Sequence, residues 1–232
     1  MSQGRRPAGG EPPSALEQAA PPDVRSSRSP GKGWRIVRGD HGGDQAEALL
    51  DLESVLTADG AVRFRDRHTR LTAMHPQVGE VWKGQRTMRP LDRIRSVGRP
   101  SSVATEYDNA AEALRAGLPT SRPIFAAERR ILGLVKECVI AFEFAADTVP
   151  LADLEEDRRE LLEECGRLLA KTHRAGIVHG DLVPGNLLVQ GRGADRRILP
   201  IDWGISWQGI ELGATRQKSD LARLLLHLAM SG

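Results

Sequence analysis

The chain has 232 residues, of which 40% are hydrophobic and 28% are charged, a composition that suits one globular domain, with or without an appendage. Its 33 basic and 31 acidic side chains leave a net charge of +2, which argues against a dedicated nucleic-acid binder because such proteins concentrate positive charge. Only two cysteines, no secretory signal and no apolar run near the roughly 18 residues that cross a bilayer lead us to expect a soluble protein of the cytoplasm.

The first 60 residues are predicted to lie outside the main fold. Sixteen of residues 1–33 are Gly, Pro or Ser, and such a segment cannot bury enough apolar surface to offset its ordering entropy, so we predict a disordered tail. Residues 34–60 are predicted to be a helical N-terminal extension. Leu49, Leu52 and Leu56 follow a helical spacing there, before a turn at Thr57–Gly60.

Residues 61–144 are predicted to form a small β-rich lobe with one helix. Short apolar runs predict strands, and a helical spacing of apolar residues that stops at Gly117 predicts a helix over Ser102–Ala116. The predicted strands are Ala61–Phe64, Leu71–Met74, Gly79–Gln85, Ile124–Glu128 and Glu137–Phe144.

Residues 145–232 are predicted to form a second, mainly helical lobe. An apolar stripe predicts a long helix over Leu151–Arg174, and an amphipathic pattern predicts a last helix over Ser219–Met230, capped by Ser219 or Asp220. The strands predicted between these helices are Ile177–Val178, Leu187–Val189 and Ile198–Ile201. A strand-rich part with one helix, followed by helices with a small strand–loop–strand insert, indicates an α+β fold of two unlike lobes.

The densest polar signal lies between those two helices. Asp181 sits in a short loop after an apolar pair, and Asn186 follows five residues later. Asp202 ends the next apolar strand, where Gly204 permits a turn. Two strands joined by a glycine-rich turn would bring Asn186 and Asp202 together, and oxygen ligands of this kind suit Mg²⁺, which also binds substrate phosphates. An ordinary Asp/Asn-rich turn between strands is the alternative.

This spacing resembles the protein-kinase-like superfamily, whose catalytic loop reads H-x-D-x-x-x-x-N and is followed by D-x-G. His179, Asp181 and Asn186 fill the first pattern, and Asp202 opens the second. The resemblance implies a two-lobed, protein-kinase-like α+β fold, with a small β-rich N-lobe carrying one helix and a reduced helical C-lobe. It implies that Asp181 orients the acceptor hydroxyl and takes its proton, while Asn186 and Asp202 hold Mg²⁺ against the ATP phosphates. His179 is expected to orient the loop backbone.

The same resemblance asks for a lysine on a strand and a glutamate on a helix of the N-lobe. Lys83 lies in the third predicted strand, and Glu106 lies on the apolar side of the predicted helix. An inward ion pair between them would set Lys83 on the α- and β-phosphates of ATP; two separate surface charges are the alternative. Glu143, Phe144 and Ala145 end a strand where the lobes would join, and in kinases the backbone of that stretch binds adenine.

Three features depart from the kinase pattern. No G-x-G-x-x-G precedes Lys83, so the phosphates must be covered otherwise, with Arg or His side chains of the stretch Arg65–Pro76 as candidates. Gly180 replaces the arginine that reads a phosphorylated activation loop in regulated protein kinases. Val183 stands where relatives often carry a lysine or a histidine, which leaves the transferred phosphate one polar contact short.

Two families within the superfamily share parts of this sequence. The loop over residues 179–186 with Asp202 is similar to the aminoglycoside/choline phosphotransferases. The N-terminal half is similar to the lipopolysaccharide-core (Kdo/heptose) kinases, in which a basic stretch follows the lysine, here Arg86–Arg99, and a helix leads into a loop, here Gly117–Thr120. In that family the aspartate at the position of Asp220 braces the catalytic loop; a plain helix cap is the alternative here.

The resemblance implies a kinase that uses Mg²⁺ to move the γ-phosphate of ATP to a hydroxyl, on a lipopolysaccharide-type sugar or another small molecule. A minimal atypical serine/threonine protein kinase, with a protein acceptor, and a nucleotide-binding pseudokinase scaffold are the alternatives. The expected partners are ATP and the acceptor, without nucleic acid. The run Arg86–Arg99 suits an anionic acceptor or a peripheral contact with the inner face of the membrane, and a solvated linker is the alternative.

Overall fold

A computed structural model describes residues 33–39, 60–67, 70–75, 79–85, 96–154, 158–191, 195–209 and 214–230. Residues 1–32 of the predicted tail and the predicted helical stretch before Gly60 lie outside the described residues. Most of the basic run that follows Lys83 lies outside them too, up to residue 95.

The N-terminal part of the chain forms a six-stranded sheet with the strand order β1-β5-β6-β4-β3-β2. Every neighbouring pair is antiparallel. The strands are β1 Trp34–Gly39, β2 Val62–Arg67, β3 Arg70–His75, β4 Glu80–Gln85, β5 Pro123–Ile131 and β6 Leu134–Glu143. The five strands predicted over residues 61–144 are therefore confirmed, each with slightly different ends.

Strand β1 corrects the prediction that residues 34–60 form a helical extension. It pairs with β5, with Trp34 opposite Arg129. Trp34 and Ile36 are buried while Arg35 between them is exposed, and this alternation with a period of two is the signature of a strand. The helical spacing farther along the chain does not extend back over these six residues.

Apolar side chains are buried on both faces of the sheet. On one face Trp82 of β4 packs edge-on against Phe125 of β5, with ring centroids 5.3 Å apart. On the other face lies helix α1, Ser102–Arg115, which buries its apolar side against β5 and β6. Ser101 caps α1 by accepting a hydrogen bond from the backbone N–H of Ala104, and the predicted helix is confirmed to within one residue at its end.

The C-terminal part combines two helices with short strands. Helix α2 spans Arg158–Arg174 and helix α3 spans Ala214–Met230. The strands are β7 Thr148–Pro150, β8 Ile177–Val178, β9 Leu187–Gln190, β10 Arg197–Pro200 and β11 Trp207–Gln208. They form a three-stranded sheet, β10-β9-β7, and a β11-β8 pair. Single turns of 3-10 helix span Leu151–Asp153, Pro184–Asn186 and Trp203–Ile205.

Both predicted helices of this part begin elsewhere than expected. Leu151, the predicted first residue of α2, starts a 3-10 turn directly after β7, and the helix itself begins at Arg158. Helix α3 begins at Ala214, five residues before the predicted start at Ser219. Asp220 consequently lies inside α3 and is fully buried, so it is not the N-cap of that helix.

Candidate active site

Lys83 lies at the centre of a three-residue ion cluster that joins the two parts of the chain. Its Nζ lies 2.5 Å from Glu106 Oε1 and 3.1 Å from Asp202 Oδ1. Side chains alternate along β4, so Trp82 enters the core on one face while Lys83 points to the face covered by α1. The predicted inward pair between Lys83 and Glu106 is confirmed, and the reading of two separate surface charges is wrong.

Burial and charge act in opposite directions on this cluster. Burial lowers the pKa of Lys83, but the charges of Glu106 and Asp202 outweigh it and the pKa is raised, so the ammonium stays charged at neutral pH. Burial alone would raise the pKa of Asp202, yet the Lys83 ammonium holds it below its ordinary value. Glu106 is buried more deeply, and burial raises its pKa although Lys83 opposes the shift.

Asp220 of α3 anchors the loop after β8 through hydrogen bonds to the loop backbone. The Asp220 carboxylate accepts hydrogen bonds from the backbone N–H groups of His179 and Gly180, both at 2.8 Å. His173 lies 3.3 Å from the same carboxylate. A buried acid is stabilised by such donors, so the prediction that Asp220 braces the loop is confirmed and the helix-cap alternative is wrong.

His179 orients the loop from inside the protein. Its Nε2 lies 3.0 Å from the backbone oxygen of Ile201, and its Nδ1 accepts from the backbone N–H of Asp181 at 3.3 Å. Burial lowers the pKa of His179, so the ring is neutral at pH 7, with the proton on Nε2 assigned from these contacts. The ring also contacts Trp203, with centroids 4.6 Å apart, and the expected orienting role agrees with these contacts.

Asp181 and Asn186 are joined by direct hydrogen bonds. The Asn186 amide donates to the Asp181 backbone oxygen at 2.9 Å and to its Oδ2 at 3.3 Å. Strands β9 and β10 pair as predicted, and the Ile201 N–H donates to the Asn186 backbone oxygen at 2.9 Å. Asn186 therefore lies just before β9 and Asp202 just after the neighbouring end of β10. The Asn186 amide bonds to Asp181 through its nitrogen, so its oxygen takes no part in those bonds.

A cavity of about 310 Å³ opens beside these residues. Its lining includes Lys83, Glu106, Asp181 and Asp202. Arg70 of β3 lines the same cavity, in the part of the sheet where a glycine-rich loop was missing from the sequence. Sequence reasoning named the stretch around Arg70 but not the residue, because Arg65 and Arg67 precede it and each of these arginines looks like a surface charge.

Arg223 of α3 is a second residue that sequence reasoning missed. Its Nη1 lies 3.1 Å from Asp181 Oδ1. The spacing carries a usable signal, because Arg223 follows the bracing residue Asp220 by three positions and so shares its helix face.

The stretch Glu143–Ala145, predicted to bind adenine, begins at the last residue of β6, at the junction of the two parts. The Glu143 N–H donates to the Arg122 oxygen and the Phe144 N–H to the Gly79 oxygen, both at 2.9 Å. The backbone oxygen of Ala145 accepts from the Thr148 hydroxyl at 2.9 Å. Adenine binding by these residues stays a prediction.

None of the helices in the described part of the chain is both long and apolar enough to cross a membrane. Of the arginines in the basic run, Arg99 is described and exposed, and its backbone oxygen accepts from Arg130 at 2.9 Å. The membrane contact predicted for that run stays a prediction.

Comparison with solved structures identifies the fold. The structure titled "WaaP in complex with acyl carrier protein" superposes with a TM-score of 0.58 at 22% identity, over 78% of this chain and 75% of that one. The ADP/Mg²⁺–phosphoaspartate complex of the Rio2 kinase from Chaetomium thermophilum superposes with a TM-score of 0.52 at 17% identity, over 80% and 60% of the two chains. The predicted two-lobed, protein-kinase-like α+β fold is therefore confirmed.

Curated relatives match shorter stretches. A 3-deoxy-D-manno-octulosonic acid kinase of Xanthomonas campestris pv. campestris is 33% identical over 147 residues, which are 62% of this chain and 51% of the relative. A probable serine/threonine-protein kinase BUD32 homolog of Archaeoglobus fulgidus is 32% identical over 95 residues, 41% and 40% of the two chains. The chain thus spans about half or less of the length of these relatives.

The family comparison covers the whole of the described site. The model of the lipopolysaccharide kinase (Kdo/WaaP) family matches residues 60–231, a range that contains Lys83, Glu106, Asp181, Asn186 and Asp202. Since that range is most of the chain, the protein belongs to the lipopolysaccharide kinase (Kdo/WaaP) family.

Proposed function

We propose that the protein is an ATP- and Mg²⁺-dependent phosphotransferase that moves the γ-phosphate of ATP to a hydroxyl group. The observation that carries the proposal is the Lys83 ammonium, held between Glu106 and Asp202 at 2.5 and 3.1 Å. This cluster lines the same cavity as the Asp181 carboxylate. A fixed cation and a fixed base on one cavity are the parts that phosphoryl transfer needs, because its catalysis comes mainly from positioning and charge.

The donor set where β9 begins and β10 ends fits Mg²⁺. Asn186 and Asp202 offer one amide oxygen and a carboxylate, and Mg²⁺ is commonly held by one or two carboxylates together with waters and substrate phosphates. Asp202 sits in the left-handed backbone region, with φ 69°, which Asp tolerates better than most residues. Bound there, the ion would neutralise charge on the β- and γ-phosphates.

The proposed roles of the other site residues follow from where they lie around the cavity. Asp181 accepts the proton of the acceptor hydroxyl, and the Asn186 amide keeps its carboxylate in place. Lys83 binds the α- and β-phosphates, and Glu106 positions Lys83. Arg70 lines the cavity from β3 and supplies cover for the phosphates in place of a glycine-rich loop.

We propose a lipopolysaccharide-type sugar as the acceptor, on the support of the family match over residues 60–231 and of the X. campestris relative, whose name specifies a sugar acid. The fold and the site do not depend on this choice, since kinase-like sites serve many acceptors. A cytoplasmic location and a contact of Arg86–Arg99 with the inner membrane face remain the expectations drawn from the sequence.

Transfer of radiolabel from [γ-³²P]ATP tests the proposal. The purified protein is given Mg²⁺ and three separate acceptor pools: a lipopolysaccharide-core glycolipid extract, a small alcohol and a protein. We expect label on the glycolipid, and a loss of at least about 10²-fold in Asp181→Ala and Asp202→Ala. Asp195→Ala, at an exposed position in the turn at the other end of the β9–β10 hairpin, is the matched control. Equal labelling by the wild type and both site variants would contradict the proposed roles of Asp181 and Asp202.

The same experiment separates two other functions. Label on the protein pool alone would identify an atypical protein kinase, a reading supported by the A. fulgidus relative, which is named a probable serine/threonine-protein kinase. Mg²⁺-dependent nucleotide binding without transfer to any pool would identify a pseudokinase scaffold, a reading favoured by the missing glycine-rich loop and by Val183.

A further inference from the structure

Arg223 is the charged side chain that α3 places against the candidate base. Its neighbours in sequence anchor the helix: Asp220 is fully buried under the loop, and Leu224 is 3% exposed in the core. Between these anchors the Arg223 side chain stays half exposed, at 48%, with Nη1 3.1 Å from Asp181 Oδ1. The helix position of Arg223 is therefore fixed by the fold, while about half of its side chain remains exposed.

The cavity lining carries two cations, Lys83 and Arg70, and Arg223 lies outside that lining in contact with one of its carboxylates. Three carboxylates, those of Glu106, Asp181 and Asp202, line the cavity, and Lys83 is engaged by two of them. A phosphoryl group in transfer spreads negative charge over three oxygens and needs cations close by. Val183 in the loop brings no charge, and within the described residues Arg223 is the cation in contact with the Asp181 carboxylate.

The geometry also places Arg223 within reach of the reaction. An acceptor hydroxyl that gives its proton to Asp181 must lie about 2.6–3.2 Å from that carboxylate, and the phosphorus atom must lie next to the hydroxyl. A guanidinium carries five N–H donors, and the Asp181 contact uses the Nη1 end. The side chain is half exposed, so its remaining donors are accessible to a phosphoryl group bound beside Asp181.

Resting on the proposed function, we propose that Arg223 is a catalytic residue that binds the phosphoryl group during transfer, as an arginine finger supplied by the chain itself. In this step the bond between the γ-phosphorus and the β,γ-bridging oxygen breaks and ADP leaves. A bond forms between the γ-phosphorus and the acceptor oxygen, and the acceptor proton passes to Asp181. Arg223 donates hydrogen bonds to the phosphoryl oxygens and is itself unchanged.

A binding contrast that needs no acceptor tests this role. Affinity for Mg-ADP is measured with and without aluminium fluoride, which imitates the phosphoryl group in transfer. We expect fluoride to tighten ADP binding to the wild type, and the tightening to fall by about tenfold or more in Arg223→Ala, with affinity for Mg-ADP alone unchanged. Arg216→Ala is the matched control, because Arg216 is an exposed arginine of the same helix that stacks on Trp207, 4.0 Å from the ring centroid.

Turnover gives a second readout. Arg223→Ala is expected to lower turnover by about 10²-fold, and added guanidinium at millimolar concentration is expected to restore part of it. Equal tightening by aluminium fluoride in Arg223→Ala and wild type would overturn the proposal, because an arginine that only holds Asp181 would leave that quantity unchanged. If aluminium fluoride tightened ADP binding in an Arg223-dependent way but no acceptor were labelled, the proposed phosphotransferase function would be wrong. The proposed contact of Arg223 with the phosphoryl group would then still hold.

Discussion

Gly180 occupies a backbone position that excludes every side chain. Its φ is +82°, and a Cβ built there would lie 2.5 Å from the backbone oxygen of Ile205. The arginine found at this position in regulated protein kinases cannot fit here. The loop is instead fixed by the two hydrogen bonds that Asp220 accepts from its backbone. These bonds explain how the loop is ordered without an arginine.

We expect Gly180→Ala to destabilise the protein by about 2 kcal/mol or more, because the positive φ and the contact with Ile205 both oppose a Cβ. Gly185→Ala in the same loop is the control, since a Cβ there meets nothing within 4 Å. Urea unfolding of the two variants measures the difference. Equal midpoints would mean that the loop can relax around the new methyl group.

Asp220→Asn tests the brace itself. The substitution replaces one acceptor oxygen by an NH₂ group that faces a backbone N–H, and it removes the charge that two hydrogen bonds share. We expect a loss of about 2–3 kcal/mol in the free energy of unfolding, together with reduced phosphate transfer. Asp195→Asn, at an exposed site in the turn between β9 and β10, should change neither quantity. A variant that keeps wild-type stability would show that the loop does not depend on this carboxylate.

At the scale of elements, helix α1 and the turn Trp203–Ile205 hold the two halves of the site together. The Asn109 side chain of α1 donates to the Trp203 backbone oxygen at 2.8 Å and accepts from Gln208 at 3.0 Å. The Trp203 indole donates to the Thr120 hydroxyl at 2.9 Å. Because Glu106 lies on α1 and Asp202 precedes the turn, these bonds set the distance of both carboxylates from Lys83.

Asn109→Ala is therefore expected to affect stability and activity together. The Trp203 oxygen and the Gln208 amide lose their partner, at a cost of about 1–3 kcal/mol, and the position of Glu106 relaxes. Thermal unfolding and the affinity for Mg-ADP measure the two effects. Arg115→Ala at the exposed end of the same helix serves as control, because its i,i+3 pair with Glu112 is a surface ion pair of small energy. Unchanged ADP affinity in Asn109→Ala would show that the bonds of Asn109 do not position the nucleotide site.

The sequence predicted elements well where one pattern dominates and poorly where patterns overlap. Strands β2 to β6 and helix α1 follow clear periods of two and 3.6 residues. The start of α2 was misplaced because Leu151 of the preceding 3-10 turn continues the helical apolar spacing. The pair of Lys83 and Glu106 was predictable from a lysine on a strand and a glutamate on the apolar side of a helix, whereas the contact of Asp202 with Lys83 was not predicted. The role of Arg70 was not predictable, because it depends on which elements the fold brings together, whereas Arg223 carried a signal in its spacing from Asp220 that was not used.

For the molecule as a whole, Lys83 and Glu106 form a charged pair inside the fold. Glu106 is 7% exposed, and burial raises its pKa even with the Lys83 ammonium beside it. A buried ion pair contributes little net stability, since desolvation offsets much of the attraction, whereas removing one partner leaves a buried charge without compensation. The pair is therefore suited to function more than to stability.

Lys83→Met should accordingly abolish phosphate transfer and also destabilise the protein, by about 3–5 kcal/mol, because Glu106 loses its partner. The double variant Lys83→Met with Glu106→Leu should recover most of the stability and remain inactive, as apolar side chains fill the site. A raised carboxyl pKa in the folded state disfavours the native protein as pH rises, so the deficit of Lys83→Met should be smaller near about pH 5 than near about pH 8. Urea unfolding at both pH values measures this. A double variant no more stable than Lys83→Met alone would show that Lys83→Met destabilises the protein through lost packing and not through the unpaired charge of Glu106.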